Sequence, residues 1–499
     1  MVRVPRGGDV LTLDDLLTTG ARVVASRRRE FARASVDTRD LQGGELFVAI
    51  AGPTRDGHDF VSAAVAAGAT GVMVSRGAAE LASAAGLADV TVVEVPDPLV
   101  ALQRAAAAAR QRSDAQVTAI TGSVGKTTTK AFTAHVLAAG SVSVLSNEAS
   151  FNNELGVPLT LSRIRPEHRS AVVEIGTDHP GEIAHLAGLV DPGIAVVTGI
   201  GSAHLGNFDD RDELATEKTD LLRGTRRGGV WVVNGDDDVL ASHARALAGP
   251  AGARLVTVGF GPGNELRASG VTVDEHGTRG VVHIGEQRID FALPAVGRHF
   301  TYPMLFALAV ASEHGLDPES AITSLADVSL PDGRANYSRI SDRLATLDDS
   351  YNGSPDAMMS SLRLLASLPG DVKVAVLGEM GELGRFSAEL HGAVGAVAAG
   401  AVTHLVTIGE QTRALVEAAR RGGLAQELTW TVDSAGAALV VVREILARHT
   451  HEQVVVLAKG SRFMHTERVS LGLAGREVRC MVPHCPLYIR CARCPRLSA

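Results

Sequence analysis

The first 479 residues contain no cysteine; the four in the chain, Cys480, Cys485, Cys491 and Cys494, all fall within its last twenty positions. A fold stapled by disulfides is thereby excluded for almost the whole chain. Aromatic residues are scarce, at 4%, so the stacking platforms that single-stranded nucleic acid needs are lacking. Positive charge is also in deficit: 48 Lys and Arg against 56 Asp and Glu leave a formal net charge of −8. No nucleic acid is expected as a partner, although a small phosphorylated ligand needs only a locally positive loop. No apolar run approaches the length of about 18 residues that a membrane span requires. The opening MVRVPRGGDV lacks the apolar core of a secretory leader. No membrane insertion is expected, and the expected location is the cytoplasm.

What the chain does have is alanine and glycine, within an ordinary 45% apolar and 21% charged composition that suits tightly packed α/β layers. At 499 residues and about 100–200 residues per domain, three domains are expected. The first spans 1–113, with strands over Glu45–Ile50 and Gly71–Val74 and helices over Val61–Ala67 and Pro98–Arg112. The second spans 114–332. Its short, β-branched runs Val117–Ile120, Ala171–Ile175, Ile194–Val197 and Val230–Val233 read as buried parallel strands, and a helix near Met304–His314 closes it. The third spans 333–474 and repeats the alternation, with strands over Ala345–Leu347, Lys373–Leu377, His404–Ile408, Leu428–Thr431 and Val454–Leu457. Residues 475–499 form a cysteine-bearing tail.

The strongest local signal is TGSVGKTTT, Thr121 to Thr129, set between the strand ending at Ile120 and a helix over about Lys126–Ala138. Gly122 and Gly125 let backbone N–H groups close around phosphate oxygens, and the helix adds the positive end of its dipole. Lys126 can reach the β- and γ-phosphates, and the Thr127 hydroxyl can ligate Mg²⁺. The usual pattern is G-x-x-x-x-G-K-[ST]; Ala119 stands at its first position, so this is a variant. A Mg²⁺–ATP site also needs oxygen ligands from nearby strand ends. Glu174, at the end of AVVEIG, is a candidate; His204, after IAVVTGI, and Lys218, within ELATEKTDLL, are two more. Taken singly, each has a plainer reading: a helix-capping acid, a loop histidine, a lysine on a solvated helix face.

Taken together, many ordered blocks resemble the Mur ligase family. They are Asp37-Thr38-Arg39, Gly44–Ala49 and Asp56–Phe60 in the first unit, then TGSVGKTTTK, Phe151–Thr160, Glu174-Ile175-Gly176, Ala203-His204-Leu205, Lys218 and Asn234–Asp237 in the second. In the third they are Asp348–Asn352, Val376–Gly384 and Lys459-Gly460-Ser461-Arg462. The resemblance implies a three-domain α/β architecture, with a central P-loop ATPase domain and a Rossmann-like C-terminal domain. It implies nucleotide contacts from Gly122, Ser123, Gly125, Lys126, Thr127, Thr128, Arg334, Asp349 and Asn352. It implies UDP-substrate contacts from Thr38, Arg39, Asp56, His58, Asn152 and Asn153. Thr127, Glu174, His204 and Lys218 would hold Mg²⁺, Lys218 as the carbamate that turns its cation into an anion. The implied activity is ADP-forming amide ligation, with catalysis by Lys126, Lys218, His204 and Glu174. The blocks are most similar to the branch that joins D-alanyl-D-alanine to a UDP-N-acetylmuramoyl-tripeptide in peptidoglycan precursor synthesis. A monomer with small-molecule substrates is expected.

Three departures stand against that pattern. The family's G-R-H-N-x-x-N reads Gly297-Arg298-His299-Phe300-Thr301-Tyr302-Pro303 here, so neither asparagine is present. Either base or ribose recognition is altered, or aromatic packing replaces the amide bonds with ATP still bound; the second reading is preferred. V-T-N-I reads Val197-Thr198-Gly199-Ile200, and Asn-Ala-Asn-Pro reads Asn352-Gly353-Ser354-Pro355. The tail is the third departure: its four thiols suit Zn²⁺, an Fe–S cluster or free cysteines. These departures leave room for a ligase of a specialised pathway with another acid and amine. A non-catalytic protein that keeps the fold is disfavoured by retention of Lys126, Thr127, Glu174, His204 and Lys218.

Overall fold

A computed structural model describes residues 11–53, 55–83, 89–148, 151–202, 205–485 and 489–498. Three principal sheets follow one another along the chain. The first has five strands in the order Arg22–Ala25, Thr91–Glu94, Gly71–Val74, Leu46–Val48 and Ala34–Ser35, parallel except at its Arg22–Ala25 edge. The helix Pro98–Gln111 leaves this sheet, capped by the Asp97 carboxylate on Leu99 and Val100 N–H. Its buried alanines pack into one core shared with the second unit, so the first two units are joined by apolar contact.

The second sheet has nine strands. Gln116–Thr121 lies between Ser170–Glu174 and Ile194–Val197, all parallel. Beyond Arg254–Gly259 an antiparallel ribbon of three strands, Leu266–Asp274, Gly277–Ile284 and Gln287–Leu293, extends the sheet. Its alternating exposed and buried positions are those of a half-solvated antiparallel sheet. The third sheet has six strands, with Leu344–Asp348, Val454–Lys459, Val372–Gly378, His404–Ile408 and Thr429–Val432 parallel and Asn336–Arg339 antiparallel at one edge. The strands expected from apolar runs are present in all three units, shifted by a residue or two at their ends.

The carboxyl ends of parallel strands are where such sheets bind ligands. Thr121, Glu174 and Val197 end three adjacent strands of the second sheet, and Asp348 and Lys459 end two adjacent strands of the third. The tail beyond Leu473 docks on the third unit, burying Cys491 and Leu497. No helix among the described residues is long and apolar enough to cross a membrane.

Candidate active site

The loop after Gln116–Thr121 turns sharply. Gly125 takes φ +85°, a left-handed conformation that glycine adopts without cost, and the helix Lys126–Ala139 begins directly behind it. A Cβ at Gly122 would stand 2.1 Å from Thr198 Oγ1, so only glycine lets this backbone lie against the neighbouring strand end. Lys126 Nζ donates to Gly122 O at 2.7 Å, folded back over the loop it serves. Burial holds its pKa below the ordinary lysine value, with the Glu174 charge opposing. Ser123 N donates to Gly199 O at 2.9 Å, and its hydroxyl accepts from Gly201 N at 2.8 Å. Thr128 is buried behind them and lines the same cavity.

Glu174 is the centre of a buried knot. Thr127 Oγ1 donates to Glu174 Oε1 at 3.2 Å, and Asn152 Nδ2 donates to the same oxygen at 2.8 Å. The Lys130 ammonium stands 3.5 Å from Oε2 and donates to Asn147 O at 2.8 Å. Asn147 in turn fixes the Glu174 backbone through both its amide groups, at 2.9 and 3.0 Å. Lys130 and Asn147 were not assigned roles from the sequence. The available signal was spacing: Lys130 is four residues beyond Lys126, hence on the same helix face.

Lys218 lies on the helix Arg211–Arg223 and is fully buried, with no hydrogen bond to its Nζ. It is not on a solvated face. Burial, and then the charge of Lys126, bring its pKa down to about 7. Its neighbour Glu217 accepts from Gly181 N at 2.7 Å and Ile183 N at 2.8 Å, binding this helix to the start of the helix Glu182–Val190. His204 lies outside the described residues.

The third unit reaches across to the loop. Arg334 Nη2 donates to Thr127 Oγ1 at 3.2 Å, and its guanidinium lies 4.1 Å over the Tyr351 ring. Asp349 is held by Lys459 Nζ at 2.6 Å, by Ala335 N at 3.1 Å and by the Ser361 hydroxyl. Burial works against its charge, but Lys459 and the Ser361 hydroxyl together keep the carboxyl below the usual range. Asn352 caps its own turn, with Gly353 N donating to Oδ1 at 2.8 Å. Around these groups lies a cavity of about 1660 Å³ lined from the second and third units, with Asp40 of the first at its edge.

The substrate residues expected in the first unit divide. Thr38 and Arg39 belong to the short turn Thr38–Asp40 beside the cavity, with Arg39 paired to Asp37. Asp56 and His58 do not line the cavity. His58 Nδ1 is 2.6 Å from Asp56 Oδ1, while Nε2 accepts from Ser75 N at 3.0 Å. A backbone N–H must donate, so Nε2 is bare and Nδ1 carries the proton. Bonds from the His58 backbone and ring bring Asp56 down to about 2. Asn153 Oδ1 accepts from Gly156 N at 2.9 Å, just before the helix Gly156–Leu161, and both Asn152 and Asn153 line the cavity.

The departures at 300 and 303 line the cavity and pack into the core beside it. Phe300 is 1% exposed and stacks on Phe132 of the loop's helix, at 6.4 Å and 10°. Pro303 sits in the first turn of the helix Thr301–Glu313, where its missing N–H is not needed. His299, buried beside them, is pushed down to about 4 by burial.

The four-thiol zinc site is not assembled among the described residues. The group of metal-ligand types there is instead His465, Glu467 and Cys491, with ligand atoms within 4.8 Å of one another. Backbone bonds pin Cys485 to Phe463 and Cys480 to Leu497, at separate points from Cys491. Arg468 Nε donates to Cys491 Sγ at 3.4 Å and Arg462 to Glu467 at 3.0 Å, so guanidiniums hold the lone pairs a cation would need. Burial and the Glu467 charge push the Cys491 thiol up to about 11. The cluster fits a hydrogen-bonded clamp for the tail better than a metal centre.

Residues 31–110 match the Mur ligase family, catalytic domain; residues 120–311 the Mur ligase middle domain; and residues 333–462 the Mur ligase, glutamate ligase domain. The UDP-N-acetylmuramoyl-tripeptide–D-alanyl-D-alanine ligase of Escherichia coli is 32% identical over 439 residues, 87% of this chain and 92% of that one. A crystal structure of MurF from Acinetobacter baumannii superposes with TM-score 0.83 at 29% identity, covering 95% of this chain and 100% of that one. The MurF ligase of Thermotoga maritima in complex with ADP shares the fold, with TM-score 0.75 at 24% identity over 89% of this chain and 97% of that one. With three consecutive domain matches and a relative aligned over nearly its full length, the chain belongs to the Mur ligase family.

Proposed function

We propose that this chain is an ADP-forming amide ligase that activates the terminal carboxylate of a UDP-N-acetylmuramoyl-tripeptide and joins it to D-alanyl-D-alanine, for peptidoglycan precursors. The observation that carries it is the meeting at Thr127: loop hydroxyl, Glu174 carboxylate and the Arg334 guanidinium of another unit converge on one point. The relatives named above supply the substrates, and the first-unit blocks support a uridine nucleotide at that end.

A carboxylate is a poor acyl donor because its leaving group is oxide. Phosphoryl transfer from ATP to it gives an acyl phosphate, and the amine then displaces phosphate through a tetrahedral intermediate. Lys126 and Arg334 supply fixed positive charge where the transferred phosphoryl group carries its negative charge. The loop N–H groups and the helix start at Lys126 hold the remaining phosphates. Asp349 and Asn352 hold the nucleotide from the third unit. Water must be kept from the acyl phosphate, and the contact of the third unit with the loop closes that side.

The donor atoms fit Mg²⁺. Thr127 Oγ1 and Glu174 are adjacent, and Glu174 Oε2 is buried with the Lys130 ammonium 3.5 Å away. Lys218, with His204, would complete the set, because a buried amine of pKa about 7 is substantially neutral and can take up CO₂. When bound, Mg²⁺ would offset phosphate charge during transfer.

The test mixes the purified chain with ATP, Mg²⁺, the UDP-muramoyl-tripeptide and D-alanyl-D-alanine, and follows phosphate release and product mass. Equimolar phosphate and UDP-muramoyl-pentapeptide are expected. Phosphate release only with a different acid and amine would overturn the substrate assignment.

A further inference from the structure

The second and third units also touch along the rim of the cavity, beside the phosphate loop. Asp356, in the first turn of the helix Pro355–Ser367, accepts from both Ser202 N, at 2.7 Å, and Ser202 Oγ, at 2.8 Å, through one carboxylate oxygen. Gly201, the preceding residue, donates its N–H to Ser123 Oγ on the phosphate loop. A continuous path of three residues, Ser123, Gly201 and Ser202, thus joins the loop to Asp356.

A second contact lies further along. Gly206 N donates to Glu382 O at 3.0 Å. A Cβ at Gly206 would stand 2.5 Å from Gly384 N and 2.7 Å from Glu382 O, so two backbones meet where no side chain fits. Arg385 Nη2 donates to Asp209 O at 2.6 Å beside it. These contacts hold the third unit, and with it Arg334, at the position from which Arg334 touches Thr127.

We propose that Asp356 and Gly206 are positioning residues of a latch that locks the third unit onto the phosphate loop, so that Arg334 is placed for phosphoryl transfer only when the Ser202–Asp356 and Gly206–Glu382 contacts are made. Asp356 acts on the loop through Ser202, Gly201 and Ser123. Gly206 acts by its lack of a side chain: anything larger is a wedge between the units. The inference rests on the proposed ATP chemistry but not on the identity of the acid or amine.

The test uses the full chain with Gly206→Val, Asp356→Ala and Ser202→Ala. Small-angle X-ray scattering with Mg²⁺ and a non-hydrolysable ATP analogue reads closure without acceptor or amine, so it is independent of the substrate assignment. The wild type contracts on adding the analogue; Gly206→Val and Asp356→Ala stay extended. Where turnover is measured, kcat falls about ten-fold or more in Asp356→Ala, as expected for loss of a bond to a charged group, and falls in Gly206→Val through the steric wedge. The KM for the uridine-bearing substrate, held by the first unit, is unchanged. Ser202→Ala, which keeps the backbone donor, shows a smaller effect, and none when added to Asp356→Ala. Thermal melting confirms folding; if Gly206→Val does not fold, the Asp356/Ser202 pair decides. Contraction and kcat as in the wild type for both Gly206→Val and Asp356→Ala overturn the latch. So does loss in Asp356→Ala with a normal Gly206→Val, which would make Asp356 a direct ligand contact.

Discussion

Lys218 shows most clearly what a single residue can conceal. In sequence it is one charge in a helix rich in charges; in the structure it is fully buried with an unpartnered amine. Its pKa is lowered to about 7, against an ordinary value of 10.5, so the sign of the pH effect is fixed. Between pH 7 and 10.5 the unfolded chain binds the extra proton, so this residue's contribution to stability rises with pH across that window and is lost as pH falls through 7. Carbamylation draws on the neutral amine. Degassed, CO₂-free enzyme is therefore expected to lose activity at pH 7.5, and added bicarbonate to restore it. Lys218→Ala should be inactive and unresponsive to bicarbonate. Phosphate-release assays under the two atmospheres check this; activity indifferent to CO₂ would remove the carbamate from the site.

Between elements, the contact that matters most is that of the loop's helix Lys126–Ala139 with Thr301–Glu313. Phe300 and Phe132 stack across it, inside the main core. The sequence placed Phe300 at a position where the family carries an amide, and left open whether base recognition or packing was changed. In the structure Phe300 is buried against Phe132 and also lines the cavity, which favours packing. Phe300→Asn, which restores the family residue, should therefore not strengthen ATP binding. It exchanges a buried ring for a buried amide facing Phe132 and should cost about 3–5 kcal/mol in urea unfolding. The KM for ATP should rise in step, because the same helix carries Lys126 and Thr127. An unchanged midpoint with tighter ATP binding would show that the amide had found its family role.

Legibility also divides at this scale. Strands and the phosphate loop could be read from sequence because their signals are contiguous: β-branched runs, and glycines at fixed spacing before a helix. The ribbon Leu266–Leu293 gave no expectation, since its alternation is half exposed. The knot around Glu174 and the Asp356 latch join residues tens to hundreds of positions apart, and nothing local encodes such distances. The four cysteines stayed undecided for a related reason: spacing along a tail does not say where each sulfur points, and of the four only Cys491 is buried.

Across the whole molecule, the tail is part of the third unit. Arg490 donates to Asp348 Oδ2 and Ser350 Oγ, at 3.3 Å each, on the strand end that leads to Asp349. Cys491 N donates to Glu467 Oε1 at 3.2 Å, and Arg468 reaches Val482 O at 2.8 Å. Cys485, Ile489, Arg490 and Arg493 line the same cavity as the phosphate loop. Ending the chain after Ala474 would uncover the buried Glu467 and Arg468 and remove one anchor of the Asp348–Asp349 turn. The expected outcome is a lower melting temperature together with weaker ATP binding, since we propose that Asp349 holds the nucleotide. Binding of the uridine substrate, which we propose the first unit provides, should be untouched. Arg490→Ala separates the two effects: it leaves the Cys491 clamp in place, so melting should shift little while ATP affinity falls. Calorimetric titration of ATP and of the UDP-sugar against the intact chain, the shortened chain and Arg490→Ala measures all three quantities. Equal ATP affinity in the three proteins would mean that the tail braces the third unit without shaping the nucleotide site.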